Sequence, residues 1–190
     1  MGLIDISTIG LSQVGENVRI FDLTRLTEAQ QISIGDHVLI DDFVFLQGGT
    51  GLRIGSYVHI ASFSSITGGG SATVGDFCGI ASGARILTGS DRFDGSGLIG
   101  PTVPAERRSV ERSRTVLADH AFVGANAVVH PGVQIGEGAV IGSCSVVRED
   151  IAPWTVNVGT PTRVVGSRPS GAILAHALAL GFPDKTEPSP

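Results

Sequence analysis

The side chains best suited to proton transfer and polar recognition gather in one short run, GSDRFD. It contains Asp91, Arg92 and Asp94. A carboxylate can accept a proton or hydrogen-bond a hydroxyl, and a guanidinium can bind a phosphate through two donors. Arg92 and Asp94 could therefore bind a sugar or its phosphates. The run also has good turn chemistry, so Asp91 could instead cap a loop while the other charges are solvated.

Five histidines supply the other candidate proton acceptors. His59 directly precedes an isoleucine that belongs to a regular apolar pattern, so we expect its imidazole to point outward. There it acts either as a base or as a surface group with an ordinary hydrogen bond. His37 and His120 fall where we expect solvated corners. His130 comes just before a proline at another corner, which favours a structural role, and His176 falls in a predicted helix, where packing is favoured.

The regular apolar pattern must position these side chains. Large aliphatic residues recur at every sixth position, three to a coil, with two extra residues at the third corner in the first half. A fixed short period predicts a solenoid, and the six-residue version is a parallel β-helix. A β-sandwich or barrel would instead show alternation of period two, which does not organise this chain. The pattern comprises Val14, Ile20, Ile34, Ile40, Leu46, Ile54, Ile60, Ile66, Val74, Ile80, Ile86, Leu117, Val123, Val129, Ile135, Ile141 and Val147.

The composition limits the class of protein and its partners. The 190 residues suit one domain, and 42% hydrophobic with 5% aromatic residues suits a narrow aliphatic core. A net charge of −5 argues against a nucleic-acid partner, which requires a basic surface. No apolar run is long enough for a membrane span, and the first residues lack signal-peptide features. Cys78 and Cys144 are expected to be small buried residues without a disulfide or a metal, which favours a cytoplasmic protein.

The six-residue pattern is interrupted once and stops before the C-terminus. Residues 89–114 break it with prolines, glycines and charges. Because a long excursion costs ordering entropy, we expect it to be functional. We predict a β-helix domain over 1–169, with its loop at 89–114, and then a short helix with a disordered tail over 170–190. The helix is expected to begin at Ser170 and to cap the open end of the solenoid.

Two stretches carry a family resemblance. The run FVGANAVVHPGVQIGEGAVIGSCSVVREDIAPWTVNVGTPTRVV resembles the C-terminal half of the hexapeptide-repeat acyltransferases, whose hexads end in a Pro-containing turn and a G-x-P-A-[KR] motif. The run ILTGSDRFDGSGLIGPTVPAE resembles a branch that acylates sugars, including nucleotide-linked amino sugars. The resemblance implies an all-β fold, a left-handed parallel β-helix, with a homotrimeric assembly. It also implies active sites between neighbouring subunits.

The resemblance also bears on the catalytic residues. In one branch of the family the catalytic His follows the third-corner aliphatic residue by five positions, and here that place is held by Asp91. Three possibilities remain open: a carboxylate base, a histidine supplied elsewhere, or an amine nucleophile that needs no dedicated base. Asp91 and His59 are the catalytic candidates, and within one chain we expect them to lie apart. Arg92 and Asp94 are the substrate-binding candidates.

The donor implied by the resemblance is an acyl-CoA, with acetyl-CoA as the first choice and no metal. In the family the pantetheine arm bonds to main-chain groups at places that correspond to Ala125, Gly142 and Ser143. The phosphates meet basic residues after the last coil, here Arg163 and Arg168. Thr162 replaces the usual alanine of the closing motif.

The expected function is acyl transfer to an amino or hydroxyl group of a sugar, with a nucleotide-linked deoxysugar as the first choice. A non-catalytic solenoid that serves as a scaffold or binding module is the alternative, favoured by the missing histidine. A metalloprotein like the γ-type carbonic anhydrases is a further alternative, but these need zinc ligands at a His-x4-His spacing. None of the five histidines are so spaced.

Overall fold

The computed structural model of the protein describes residues 2–183. The predicted disordered tail therefore falls, over 184–190, outside the described residues.

Three sheets of parallel strands form the faces of a prism, and each coil contributes one short strand to each face. Within residues 2–183, the first face contains Gln13–Val14, Ile32–Ile34, Gly51–Ile54, Ser71–Val74, Arg114–Leu117 and Gln134–Ile135. The second face contains Arg19–Ile20, Leu39–Ile40, His59–Ile60, Gly79–Ile80, Phe122–Val123, Val140–Ile141, Thr155–Val158 and the antiparallel strand Arg163–Ser167. The third face contains Arg25–Thr27, Phe45–Gln47, Ser65–Thr67, Arg85–Leu87, Val128–Val129 and Val146–Val147.

Helices are short and few in the described part of the chain. The C-terminal α-helix is Gly171–Ala179, and 3-10 turns lie at Ile6–Thr8, Ala29–Gln31 and Ala105–Arg107. None of these helices is long and apolar enough to cross a membrane.

The predicted inward residues are in register from coil to coil. On the first face Ile34 pairs with Ile54, Ile54 with Val74 and Val74 with Leu117. All four are at most 3% exposed. The other two faces show the same columns, because alternate residues of a strand point to opposite sides of the sheet. The six-residue pattern and the left-handed parallel β-helix are confirmed.

The corner after the first face carries a stack of rings, which we call the corner stack. It consists of His37, Tyr57, Phe77, His120 and Trp154, all in the left-handed backbone region with φ between 57° and 63°. Successive ring centroids lie 4.6, 5.0, 5.1 and 6.0 Å apart. His120 is only 8% exposed, so the predicted solvated corner is wrong there. The rings of neighbouring coils partly cover one another, and His120 between Phe77 and Trp154 is covered most.

The last strand turns back along the prism. Arg163–Ser167 runs antiparallel to Thr155–Val158, and all five of its residues are exposed. This reversal ends the parallel ladder of the second face. At the opposite end of the prism, Ile4, Ile6 and Leu11 pack against the core.

The C-terminal helix begins one residue after Ser170, close to the predicted start. Its predicted position over the open end is wrong. Phe182, just beyond the helix, packs edge-on against Tyr57 and Phe77 at 5.6 and 5.1 Å between ring centroids. The segment therefore lies along the flank of the coils, because the corner stack offers its apolar end an aromatic surface. The division of the chain at residues 169 and 170 stays a prediction.

The two cysteines lie in different environments. Cys78 is 2% exposed, and burial raises the pKa of its thiol to about 12. Cys144 is exposed, with a φ of 58° at the corner after the second face. The prediction of a buried residue is confirmed for Cys78 and wrong for Cys144, which lies one residue before the equivalent place, held by the buried Ser145, and so turns outward.

Candidate active site

The excursion leaves the prism at the third corner as a hairpin. Gly89–Asp91 pairs antiparallel with Val110–Arg112. The base of the hairpin crosses the preceding coil at Gly68, whose φ is +123° and whose Cβ would overlap the backbone of Gly89. Glycine at this crossing therefore allows the hairpin to leave. Asp91 ends the first strand, and Asp94 follows in the turn.

The Asp91 carboxylate is held in place by two donors. The Gly100 N–H donates to Oδ2 at 3.0 Å, and Arg108 Nη2 donates to Oδ1 at 3.0 Å. The Asp91 and Arg108 side chains are 15% and 20% exposed. The hydrogen bond from Arg108, followed by that from Gly100, holds the pKa of the Asp91 carboxyl below its ordinary value. Asp91 is thus an oriented, ionised carboxylate rather than a freely moving loop group.

A cavity of about 550 Å³ opens beside this carboxylate. Its lining brings together three predicted residues, Asp91, Arg92 and Asp94. The Ser96 side chain and N–H lower the pKa of Asp94, which therefore also stays ionised. The full lining is Leu87, Ser90, Asp91, Arg92, Phe93, Asp94, Glu111, His130, Pro131 and Arg148.

The cavity includes a residue whose role sequence reasoning missed, His130. It follows the inward Val129, as Leu87 follows Ile86 in the preceding coil. The available signal was its corner: His130 comes just after a third-face strand, at the corner from which the 89–114 excursion leaves.

His59 lies elsewhere. It belongs to a second-face strand, and its Nε2 lies 3.0 Å from Asp41 Oδ2. Its side chain is 53% exposed, and it does not line the cavity beside Asp91. The structure therefore does not bring the two catalytic candidates together within one chain.

Three of the predicted donor-binding residues share the corner after the second face. Ala125 is linked to the next coil there, where the Cys144 N–H donates to its carbonyl at 2.8 Å. The Gly142 N–H already donates to the Asn157 carbonyl at 2.8 Å, so it has no proton left for a ligand. Ser143, between Gly142 and Cys144 in the chain, is exposed. Main-chain groups of two successive coils are thus presented along one edge.

The two predicted phosphate ligands lie at opposite ends of the last strand. Arg163 is exposed and pairs with Val158, whose side chain packs over Gly142. Arg168 lies five residues on, about 17 Å along a strand that rises ~3.4 Å per residue. Its Nη1 donates to the carbonyls of His120 at 2.8 Å and Gly138 at 3.1 Å.

Arg168 therefore lies apart from Arg163 and from the corner of Ala125 and Ser143 within this chain. Its guanidinium also lies 6.0 Å from the Trp154 ring centroid, at the corner stack. The structure assigns it to the attachment of the C-terminal segment. Among residues 2–183, no group of three or more His, Cys, Asp or Glu side chains could hold a metal ion.

Comparison with known proteins agrees with this fold. The family model "Bacterial transferase hexapeptide (six repeats)" matches residues 114–149. A dTDP-4-amino-4,6-dideoxy-D-glucose acyltransferase from Escherichia coli is 39% identical over 83 residues, which are 44% of this chain and 43% of that protein. The chain thus spans less than half the length of the curated relatives it matches.

Solved structures of AntD, an N-acyltransferase from Bacillus cereus, match nearly the whole chain. The complex with dTDP and 3-hydroxybutyryl-CoA is 34% identical with a TM-score of 0.88, over 93% of this chain and 94% of AntD. A serine-to-alanine variant of AntD, in complex with dTDP-4-amino-4,6-dideoxyglucose and coenzyme A, has a TM-score of 0.89 and 34% identity over 95% and 98%. Since identity of this level extends over the whole solenoid, the chain belongs to the hexapeptide-repeat acyltransferase family.

Proposed function

We propose that this chain transfers an acyl group from an acyl-CoA to the amino group of a nucleotide-linked deoxy sugar. The observation that carries the proposal is the fixed, ionised Asp91 at the wall of a cavity large enough for a sugar. Arg92 and Asp94 supply further polar contacts at the same wall. The Escherichia coli relative is named as an acyltransferase of a dTDP-linked amino sugar, and AntD is an N-acyltransferase whose complex holds such a sugar; both support this class of acceptor.

An amine fits Asp91 better than a hydroxyl does. A carboxylate with a lowered pKa is a weak proton acceptor, and a sugar hydroxyl must lose its proton to become a good nucleophile. A neutral amine attacks through its lone pair before it loses a proton. Asp91 can accept a hydrogen bond from such an amine and so direct the lone pair of the amine nitrogen toward the thioester.

The donor would lie along the corner that carries Ala125 and Ser143. Pantetheine amides can bond to main-chain groups there, and Arg163 can meet a phosphate at the end of the same edge. Bound acyl-CoA would supply the thioester carbonyl. AntD in complex with coenzyme A supports this choice of donor.

We propose a homotrimer in which neighbouring chains complete the site. Phe43 and Phe63 support the presence of an interface, because they stack at 5.1 Å and yet are 53% and 58% exposed. In that assembly His59 faces a neighbouring chain. Acyl-CoA and nucleotide sugars are made in the cytoplasm, where we place the reaction.

A screen of donors against acceptors tests the function. Acetyl-CoA and 3-hydroxybutyryl-CoA are each combined with a panel of dTDP-linked amino deoxysugars, and free thiol release is followed. We expect thiol release that requires both substrates, with an acyl-amide product identified by mass spectrometry. The matched control is dTDP-glucose, which offers hydroxyls and no amine.

Two results would contradict the proposal. Equal release with dTDP-glucose would make the protein an O-acyltransferase. Thermal stabilisation by the dTDP sugars without stabilisation by acyl-CoA, and without thiol release, would make it a binding protein.

A further inference from the structure

We propose that His130 takes the proton from the acceptor amine and returns it to the sulfur of coenzyme A. The inference rests on the proposed function and goes beyond it, because it assigns the proton transfer to a residue outside the hairpin. Asp91 then keeps an orienting role.

The backbone places His130 at the cavity wall. Its N–H donates to the Val147 carbonyl at 2.9 Å, which fixes it to the next coil. Val129 pairs with Ile86 on one side and with Val147 on the other. Leu87, His130 and Arg148 therefore form one column, with neighbours about 4.8 Å apart as in any parallel sheet. All three line the cavity that Asp91 lines.

Burial and a neighbouring cation favour the neutral form of His130, and the carboxylates that face the same cavity act in the opposite direction. Burial comes first, and the positive charge of Arg148 in the next coil adds to it, so the pKa of the His130 imidazole is lowered from its ordinary value. Glu111 and Asp91 face the cavity from the hairpin, with Arg92 in the turn beyond. At neutral pH the imidazole therefore keeps a nitrogen lone pair that can accept a proton.

Asp91 and His130 thus have opposite environments in one cavity. Donors stabilise the charged form of the carboxylate, whereas burial and a cation stabilise the neutral form of the imidazole. Pairs of titratable groups driven apart in this way are typical of acid–base sites. The carboxylate suits binding of an N–H, and the imidazole suits proton acceptance.

The step balances without any further reactant. The amine nitrogen attacks the thioester carbonyl carbon, a C–N bond forms and the C–S bond breaks. The extra proton on nitrogen passes to the imidazole nitrogen of His130. The imidazolium gives this proton to the departing thiolate, so the products are the amide and the free thiol of coenzyme A, with His130 neutral again.

His59 fits this role less well within the chain. Its Nε2 is already bonded to Asp41, and it lies outside the cavity. It can act on the acceptor only if a neighbouring chain brings it there. His130 lines the same cavity as Asp91, so it needs no neighbouring chain to reach an acceptor amine bound by Asp91.

The test uses His130→Asn in the full chain with the fastest donor and acceptor pair. We expect kcat to fall about 10²- to 10⁴-fold at pH 7, the range for loss of a general base. In the wild type kcat/KM should rise with pH through the lowered pKa of His130, and this rise should be absent in the variant. The matched control is His176→Gln, an exposed histidine on the C-terminal helix, which should keep wild-type rates.

A second variant separates chemistry from structure. In His130→Ala, added imidazole should restore part of the lost turnover, which a purely structural role does not allow. Thermal melting of both variants reports whether the solenoid is intact. Loss of activity that imidazole does not restore, with the pH rise retained, would overturn the assignment.

Failure of the inference and failure of the function give different results. No thiol release by the wild type contradicts the proposed function and the role of His130 with it. Normal turnover by His130→Asn contradicts only the role of His130. A large loss in His59→Gln with a small one in His130→Asn would move the proton acceptor to the subunit boundary.

Discussion

At the scale of single residues, the candidate site depends on the hydrogen-bond donors that surround the Asp91 carboxylate. Asp91 is tied to Arg108 and Gly100, so its negative charge has a fixed direction. Since a depressed pKa stabilises the folded state only while the group is ionised, this contribution is present at neutral pH. It is lost as the pH falls through the lowered pKa of Asp91. The fixed carboxylate is therefore present at neutral pH, where the proposed reaction needs it.

The two arginines after the last coil offer a matched pair of substitutions. Arg163→Ala should raise the KM for acyl-CoA about tenfold with little change in kcat, because a charge-assisted contact contributes ~1.5 kcal/mol. Arg168→Ala should leave that KM unchanged and lower the thermal midpoint, since its guanidinium bonds two carbonyls. Steady-state kinetics and thermal melting of both variants check this. A reversed pattern would place the phosphates at the corner stack.

The sequence singled out Asp91 as a candidate and did not single out His130, for a physical reason. The GSDRFD run interrupts a strict period, and an interruption is visible in a single chain. His130 sits inside an unbroken hexad, where outward residues vary freely and carry no periodic signal. Only the column Leu87, His130 and Arg148 shows that it faces the hairpin.

At the scale of elements, the corner stack depends on one coil that contributes a glycine instead of a ring. Gly138 belongs to the same corner between His120 and Trp154, with a φ of 62°. A Cβ at Gly138 would overlap the Trp154 ring. The missing side chain lets Trp154 reach across one coil toward His120.

Gly138→Ala tests this arrangement. We expect a loss of about 1–3 kcal/mol in the free energy of unfolding, the usual cost of overpacking. The left-handed backbone also disfavours alanine. Urea denaturation measures the loss, with Gly166→Ala as control, because nothing lies within 4 Å of a Cβ there. Equal stability of the two variants would show that Trp154 moves aside without cost.

The elements themselves could be predicted only where one residue type repeats. The aliphatic columns repeat a single chemical type at a constant interval, so the faces were predicted correctly. The corner stack mixes His, Tyr, Phe and Trp, and the hairpin shifts its spacing after Phe77. The C-terminal helix is apolar on several sides, so its own sequence does not indicate which surface it covers.

At the scale of the whole molecule, the proposed trimer is tested by its mass. Light scattering should give a mass three times that of the 19.5 kDa chain. Phe43 and Phe63 provide the physical reason, since two stacked exposed rings favour burial. A mass equal to one chain, with full turnover, would contradict the trimer and confine catalysis to the cavity beside Asp91.

The reversed strand Arg163–Ser167 has a consequence for how these prisms meet end to end. A prism with a bare parallel edge could add the first coil of another copy and polymerise into a fibre. Here the terminal strand of the second face runs the opposite way, so an incoming parallel coil finds the wrong hydrogen-bonding direction. Ile4, Ile6 and Leu11 obstruct the other end. Addition of a further coil to the second face is therefore disfavoured, and with it growth of a fibre along the axis.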